Sequence, residues 1–132
     1  MAEEVTTGYS FLYTALTGDT ALMALVTGVY RNLAPAGTLP PYVIIGHQAG
    51  HDVLSANAYR VMTSDVYQVK VIGLDSTYTA ALVPAVNRID ALLGRTSATG
   101  VLACYREQQF ALTEIVNGVA WLNLGGMFRI LI

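Results

Sequence analysis

Apolar residues fall at helical spacing in two stretches of the chain and alternate at period two in most of the rest. From about Val5 to Thr27, Leu12, Leu16, Leu22, Leu25 and Val26 form one apolar face, which predicts helix. Gly18-Asp19 interrupts it, with Asp19 a candidate cap, so either one kinked helix or two short ones fit. Gly28 ends this region, and Val29 to Pro41, rich in Pro and Gly, reads as a connecting loop. Tyr42 to Gln48 is dense in β-branched and aromatic residues and predicts a strand, followed by a polar loop from Gly50 to Ala58. A second strand runs from Tyr59 to Leu74, where Tyr67, Val69 and Val71 alternate with Gln68 and Lys70.

Ser76 is a candidate cap for a helix reaching Leu93, with Leu82, Val86, Ile89 and Leu93 on one stripe and Gly94 as its stop. Pro84 conflicts with a helix interior, so the helix bends there or begins just before it. Asn117-Gly118 is a strong signal for a tight turn between two long strands, Val101 to Val116 and Val119 to Leu131. Gly125-Gly126 inside the last strand marks a bulge or the close approach of another backbone. The order helix, strand, strand, helix, strand, strand implies an α+β fold: a mostly antiparallel sheet with two main helices packed on one face. No repeat or linker divides the chain, so residues 1–132 are expected to form one domain.

The run Thr20 to Tyr30, the pair Ala34-Pro35 with Ala36-Gly37, and the strand entry Leu39-Pro40-Pro41-Tyr42-Val43-Ile44 occur in that order. They are followed by the Tyr67 to Val71 strand and the Ala80 to Leu93 helix, and the whole resembles the small tail terminator, or tail-completion, proteins of long-tailed bacteriophages. The resemblance spans roughly Phe11 to Leu93, and the terminal hairpin agrees with it in type. It implies a virion structural protein in head-tail joining: a homo-hexameric ring that caps the tail tube, stops its polymerisation and offers the head a docking face. The implied partners are further copies of the chain, the tail tube protein and the head-tail connector or stopper protein, with DNA passing through the lumen unbound. The implied location is the head-proximal end of the virion tail, after assembly in the host cytoplasm. The resemblance brings no catalytic residue and no cofactor.

Composition agrees with a subunit that meets other subunits. Of the 132 residues 54% are hydrophobic and 12% charged, against roughly 25% charged in an ordinary soluble domain. Seven basic and nine acidic side chains give a net charge of −2 with no basic cluster, which argues against tight nucleic-acid binding. Glu3 and Glu4 stand where a secretory signal carries positive charge, so no signal peptide is expected. The longest uncharged run, Asn32 to His51, holds Pro35, Pro40, Pro41 and three glycines, so no membrane span is expected. Cys104 is the only cysteine, which fits a reducing compartment.

Candidate chemistry is sparse. His47, His51 and Asp52 alone have metal-ligand character, but a strand end followed by a loop does not converge them, and a structural zinc takes four ligands. Cys104 lies in an alternating strand, where a buried structural thiol is the default, and no hydroxyl has a nucleophile elbow or an evident base. The chain is therefore not expected to be an enzyme. Candidate contact residues are His51, Asp52, Asn57 and Arg60 in the long polar loop; Tyr30, Arg31 and Asn32; and Arg95, Thr96 and Ser97 after the second helix. Trp121 on the last strand is read as core before interface. Two alternatives stand beside the terminator reading: a head-tail connector or stopper ring, and a small metal- or ligand-binding domain using His47, His51 and Asp52.

Overall fold

The computed structural model describes residues 2–98 and 100–132, with side chains from Thr6 onward; the side chains of Glu3 and Glu4 lie outside the described residues. The chain combines three helices with a curled six-stranded sheet. The first helices are α1 (Ala2–Thr17) and α2 (Thr20–Met23), so the Gly18-Asp19 break separates two elements. Asp19 caps α2 by accepting from the Leu22 N–H at 2.9 Å, which satisfies one of the amides that a helix start leaves unpaired.

The predicted loop from Val29 to Pro41 holds a short strand, β1 (Val29–Arg31), parallel to the first residues of β2 (Tyr42–Leu54). Three residues are too few to display an alternation, and the flanking Pro and Gly masked the element. β2 runs six residues beyond the expected Gln48, and β3 (Arg60–Leu74) returns antiparallel to it. The long polar loop predicted from Gly50 is thus a hairpin arm, with a turn only at Ser55 to Tyr59. Its polar side chains are exposed strand positions, and a bulge at Gln48 had broken the period that would have revealed them.

After β3 the chain makes a 3₁₀ turn (Asp75–Thr77) and a π turn (Tyr78–Leu82) before α3 (Val83–Leu93). Ser76 makes no capping bond there, contrary to the expected cap. Pro84 falls in the first turn of α3, where its missing N–H costs nothing, so the helix begins just before it. Arg95 to Ala98, expected as a loop, form β4 on the edge beside β5 (Val101–Val116). β5 and β6 (Val119–Leu131) make the expected hairpin, with Asn117 and Gly118 both at positive φ in its turn.

The sheet order is β1-β2-β3-β6-β5-β4, and every neighbouring pair is antiparallel except β1 and β2. Leu12 and Leu16 from α1, Leu22 from α2, and Ala85, Ile89 and Leu93 from α3 share one buried cluster with Val43, Ile45, Tyr67, Val69, Val71, Phe128 and Ile130 of the sheet. The strand positions alternate, so one sheet face enters this core. At the central seam β3 and β6 approach closely at Gly125, where an added methyl would meet the Val69 carbonyl and sit 2.7 Å from the Lys70 Cα. The Gly125-Gly126 signal therefore marks a close backbone approach; the sheet bulges lie in other strands.

Candidate assembly interface

Register separates the residues that sequence reading grouped as a metal site. His47 pairs with Tyr67 and turns toward the core, whereas His51 pairs with Ser64 on the other face of β2. His47 Nε2 lies 3.3 Å from a carboxylate oxygen of buried Asp65. Asp52 instead reaches Arg60 at 3.8 Å across the hairpin, with both side chains about half exposed. Among the described residues no group of three or more His, Cys, Asp or Glu side chains stands close enough to hold a metal.

His47 and Asp65 belong to a polar cluster that ties α1 and β1 to the sheet. The Tyr9 hydroxyl accepts from the His47 N–H at 2.9 Å and donates to Asn32 Oδ1 at 2.9 Å. The Tyr9 and His47 rings both meet the Tyr67 ring edge-on, with centroids 5.2 and 5.1 Å away. Burial raises the Tyr67 phenol well above its ordinary pKa. Arg31 stacks over Tyr9 at 5.6 Å and Tyr30 meets Tyr42 edge-on, so Arg31 and Asn32 help fasten α1 while remaining exposed.

On the sheet face opposite the helices, among the described residues, the loop after β1 borders a groove. Trp121, half-buried, lines this groove of about 540 Å³ with Tyr42, Ile44, Lys70, Asn123 and the loop residues Asn32 to Thr38. Trp121 is thus not a core residue: on β6 it lies in register with Leu74 and Glu114, not with the buried positions. Farther along this face Arg129 donates to both oxygens of Glu107 at 2.8 and 3.1 Å and to the Ser64 hydroxyl at 2.6 Å. That bidentate bond holds the Glu107 carboxyl below its usual pKa.

Exposed apolar side chains gather at two opposite ends of the sheet. The β5–β6 hairpin carries Leu112 (46% exposed), Ile115 (76%), Val116 (49%) and Val119 (46%) around its turn. The β2–β3 hairpin presents Leu54, Tyr59 and Val61 at the other end, beside Asp52, Asn57 and Arg60. Arg95, Thr96 and Ser97 lie on the β4 edge toward that same end, with Arg95 opposite Tyr105. Sequence reading missed the apolar hairpin ends; the signal was Ile115 and Val116 immediately before a tight turn, where polar residues are usual. Cys104 is buried against the Leu93 carbonyl, and burial pushes its thiol up to about 12, so it belongs to the core.

Residues 11–98, two-thirds of the chain, match the family described as tail completion protein gp17. The chain belongs to this tail completion family. Its role is accordingly that of a structural protein of the virion tail. A chain from the virion of a native gene transfer agent particle has a similar fold, with a TM-score of 0.63 at 21% identity over 91% of each chain. Among curated proteins none gives a significant match. No helix among the described residues is long and apolar enough to cross a membrane.

Proposed function

We propose that this chain closes into a ring, of six copies on the family resemblance, that caps the head-proximal end of the tail tube, stops its growth and presents a docking face to the head. Membership of the tail completion family over residues 11–98 carries the reading. The two apolar hairpin ends support it, because a cap needs one axial surface for the tube and another for the head, and these ends lie at opposite extremes of the sheet. A subunit that matches the tube on one side and differs on the other ends polymerisation without any chemical step. The chain acts without turnover or cofactor. Asp52, Asn57, Arg60 and the β4 residues Arg95 to Ser97 are assigned to one axial face and Trp121 to the other, with His51, Tyr30, Arg31 and Asn32 on the flank between. The lumen lets DNA pass without gripping it, consistent with the net charge of −2.

Negative-stain imaging of the purified protein mixed with tail tubes tests this. Tubes of uniform length carrying one ring at one end are expected. Uncapped tubes together with binding to portal-bearing heads would replace the reading with a connector or stopper ring, and binding to neither would refute it.

A further inference from the structure

On the sheet face opposite the helices, register sets side chains in cross-strand rows. Trp121 stands directly opposite Glu114, and Asn123 opposite Leu112 in the next row, which continues through Ile72 to Tyr42. Opposed side chains on adjacent strands leave the backbone about 4.5–5.5 Å apart, so the Trp121 indole and the Glu114 carboxylate are immediate neighbours. Both line the groove of about 540 Å³ with Tyr42 and Asn123, and the loop after β1 borders it with Leu33, Ala34 and Pro35. Asn123 is buried, and its amide donates to Glu114 at 3.5 Å, which ties the carboxylate to the groove.

Glu114 is also electrically unmatched. Asp19, Asp52, Asp90 and Glu107 each meet an arginine, and Asp65 meets His47. Among the described acidic side chains that leaves Asp75 and Glu114 without a basic group in ion-pair reach, and of these two Glu114 lines the groove. Lys70 lines it as well, but its ammonium lies over the Phe110 ring at 5.9 Å. Phe110 precedes Glu114 by four residues on β5, about 13 Å of strand, and charges that far apart are largely screened at physiological salt.

We infer that this groove receives an arginine side chain of the protein that docks on this end of the subunit, its guanidinium stacked on Trp121 and paired with Glu114. The inference rests on the axial docking face proposed above for Trp121 and names the chemistry of the partner that meets it. A guanidinium is planar, permanently charged and weakly hydrated, so it lies on an indole face while donating two parallel hydrogen bonds to one carboxylate. An ammonium is compact and strongly hydrated, and loses more on leaving water. Glu114 is the one carboxylate among the lining residues, which suits a single monovalent cation. Leu33, Leu112 and Val116, all exposed, border the site with apolar surface. Trp, Tyr and Arg anchors inside a rim that excludes water are the composition in which interfaces concentrate binding energy.

Trp121 is the only tryptophan in the chain, so its fluorescence and its indole N–H resonance report the groove directly. The full chain is titrated with acetyl-Leu-Arg-Leu-amide and with the same peptide carrying citrulline, which keeps the shape and removes the charge. A saturable change with the arginine peptide is expected, with a Kd about tenfold below that of the citrulline peptide, as a charge-assisted pair provides. Glu114→Gln should erase this difference, whereas Glu107→Gln, on the same strand outside the groove, should preserve it. Equal affinity for the two peptides would overturn the inference in favour of a purely apolar groove. A lysine peptide binding as tightly as the arginine peptide would overturn the guanidinium assignment, and no response to any peptide would remove the site. Tube capping and head binding by the wild type, measured in parallel, keep the two claims apart. A chain that caps tubes and ignores the arginine peptide loses this site and keeps its cap; one that binds the peptide but neither tubes nor heads keeps the site and loses the cap.

Discussion

Gly125→Ala isolates the close backbone approach between β3 and β6. A methyl at this position meets the Val69 carbonyl and comes within 2.7 Å of the Lys70 Cα and 2.9 Å of the Val69 carbonyl carbon, where unstrained carbon contacts need about 3.5–4.0 Å. All three atoms are backbone of a central strand, so relief requires β3 and β6 to part by most of an ångström and lengthens the ladder bonds on either side. Overpacking typically costs 1–3 kcal/mol, and a site flanked by main chain falls at the upper end, about 3 kcal/mol. For a chain of 132 residues that corresponds to a drop in Tm of about 10–15 °C. Gly118→Ala is the matched control. Its φ is +76° with nothing within 4 Å of the added methyl, so it carries only the backbone penalty of about 1 kcal/mol. Urea and thermal unfolding of the two variants beside the wild type provide the comparison. If Gly125→Ala proves no more destabilising than Gly118→Ala, the close approach is not there.

Ile115→Asp should leave the unfolding midpoint within about 0.5 kcal/mol of wild type, because the side chain is mostly exposed, yet abolish capping in the tube-length assay; unchanged capping would remove the hairpin end from the interface. Asp19 is held down at about 2 by two 2.7 Å bonds from Arg88 and by the Leu22 N–H. Its folded pKa lies below the unfolded value near 3.8, so its contribution is full above that value and fades as pH falls toward 2. The gap in urea midpoint between wild type and Asp19→Asn is therefore expected to be constant from neutral pH to about pH 5 and to close by about pH 2; a pH-independent gap would refute the assignment. Cys104, buried and with its thiol raised to about 12, should resist a thiol reagent at neutral pH until the chain is unfolded, and rapid labelling of the native protein would contradict its placement.

Where a residue's own neighbours in sequence determine its conformation, the fold was legible. Asp19 capping α2, the Leu82, Ile89 and Leu93 stripe, the alternation of Tyr67, Val69 and Val71, and the Asn117-Gly118 turn are all local signals, and each stands in the structure. The readings that failed depend on partners far along the chain. β1 is a strand only because the edge of β2 is available to it, and Arg95 to Ala98 become β4 only because β5 turns back beside them. The bulge at Gln48 shifted the alternation by one residue, so His51 and Asp52 looked like loop when they are strand. For Trp121 both core and interface stood open, since nothing local reveals which face of β6 meets the helices. Family membership was legible in the order of the Ala34-Pro35 loop and the Pro41-Tyr42-Val43 strand entry. The contact surfaces were less so, because the Trp121 groove and the apolar hairpin ends exist only once the strands have been paired.

The β3–β6 seam also has a kinetic consequence. β2–β3 and β5–β6 are hairpins whose strands adjoin in sequence, and such units form within about 1–10 μs. Joining them requires Ser64 to Leu74 to find Trp121 to Leu131, across a loop that contains all of α3 and β4. That closure must be completed before most of its bonds form, and long-range antiparallel pairing of this kind slows folding. The two hairpins are therefore early and separable, and their meeting is the slow event. A subunit caught before that event exposes both faces of the future seam at once, which makes the nascent chain, and not the finished ring, the species most prone to aggregate.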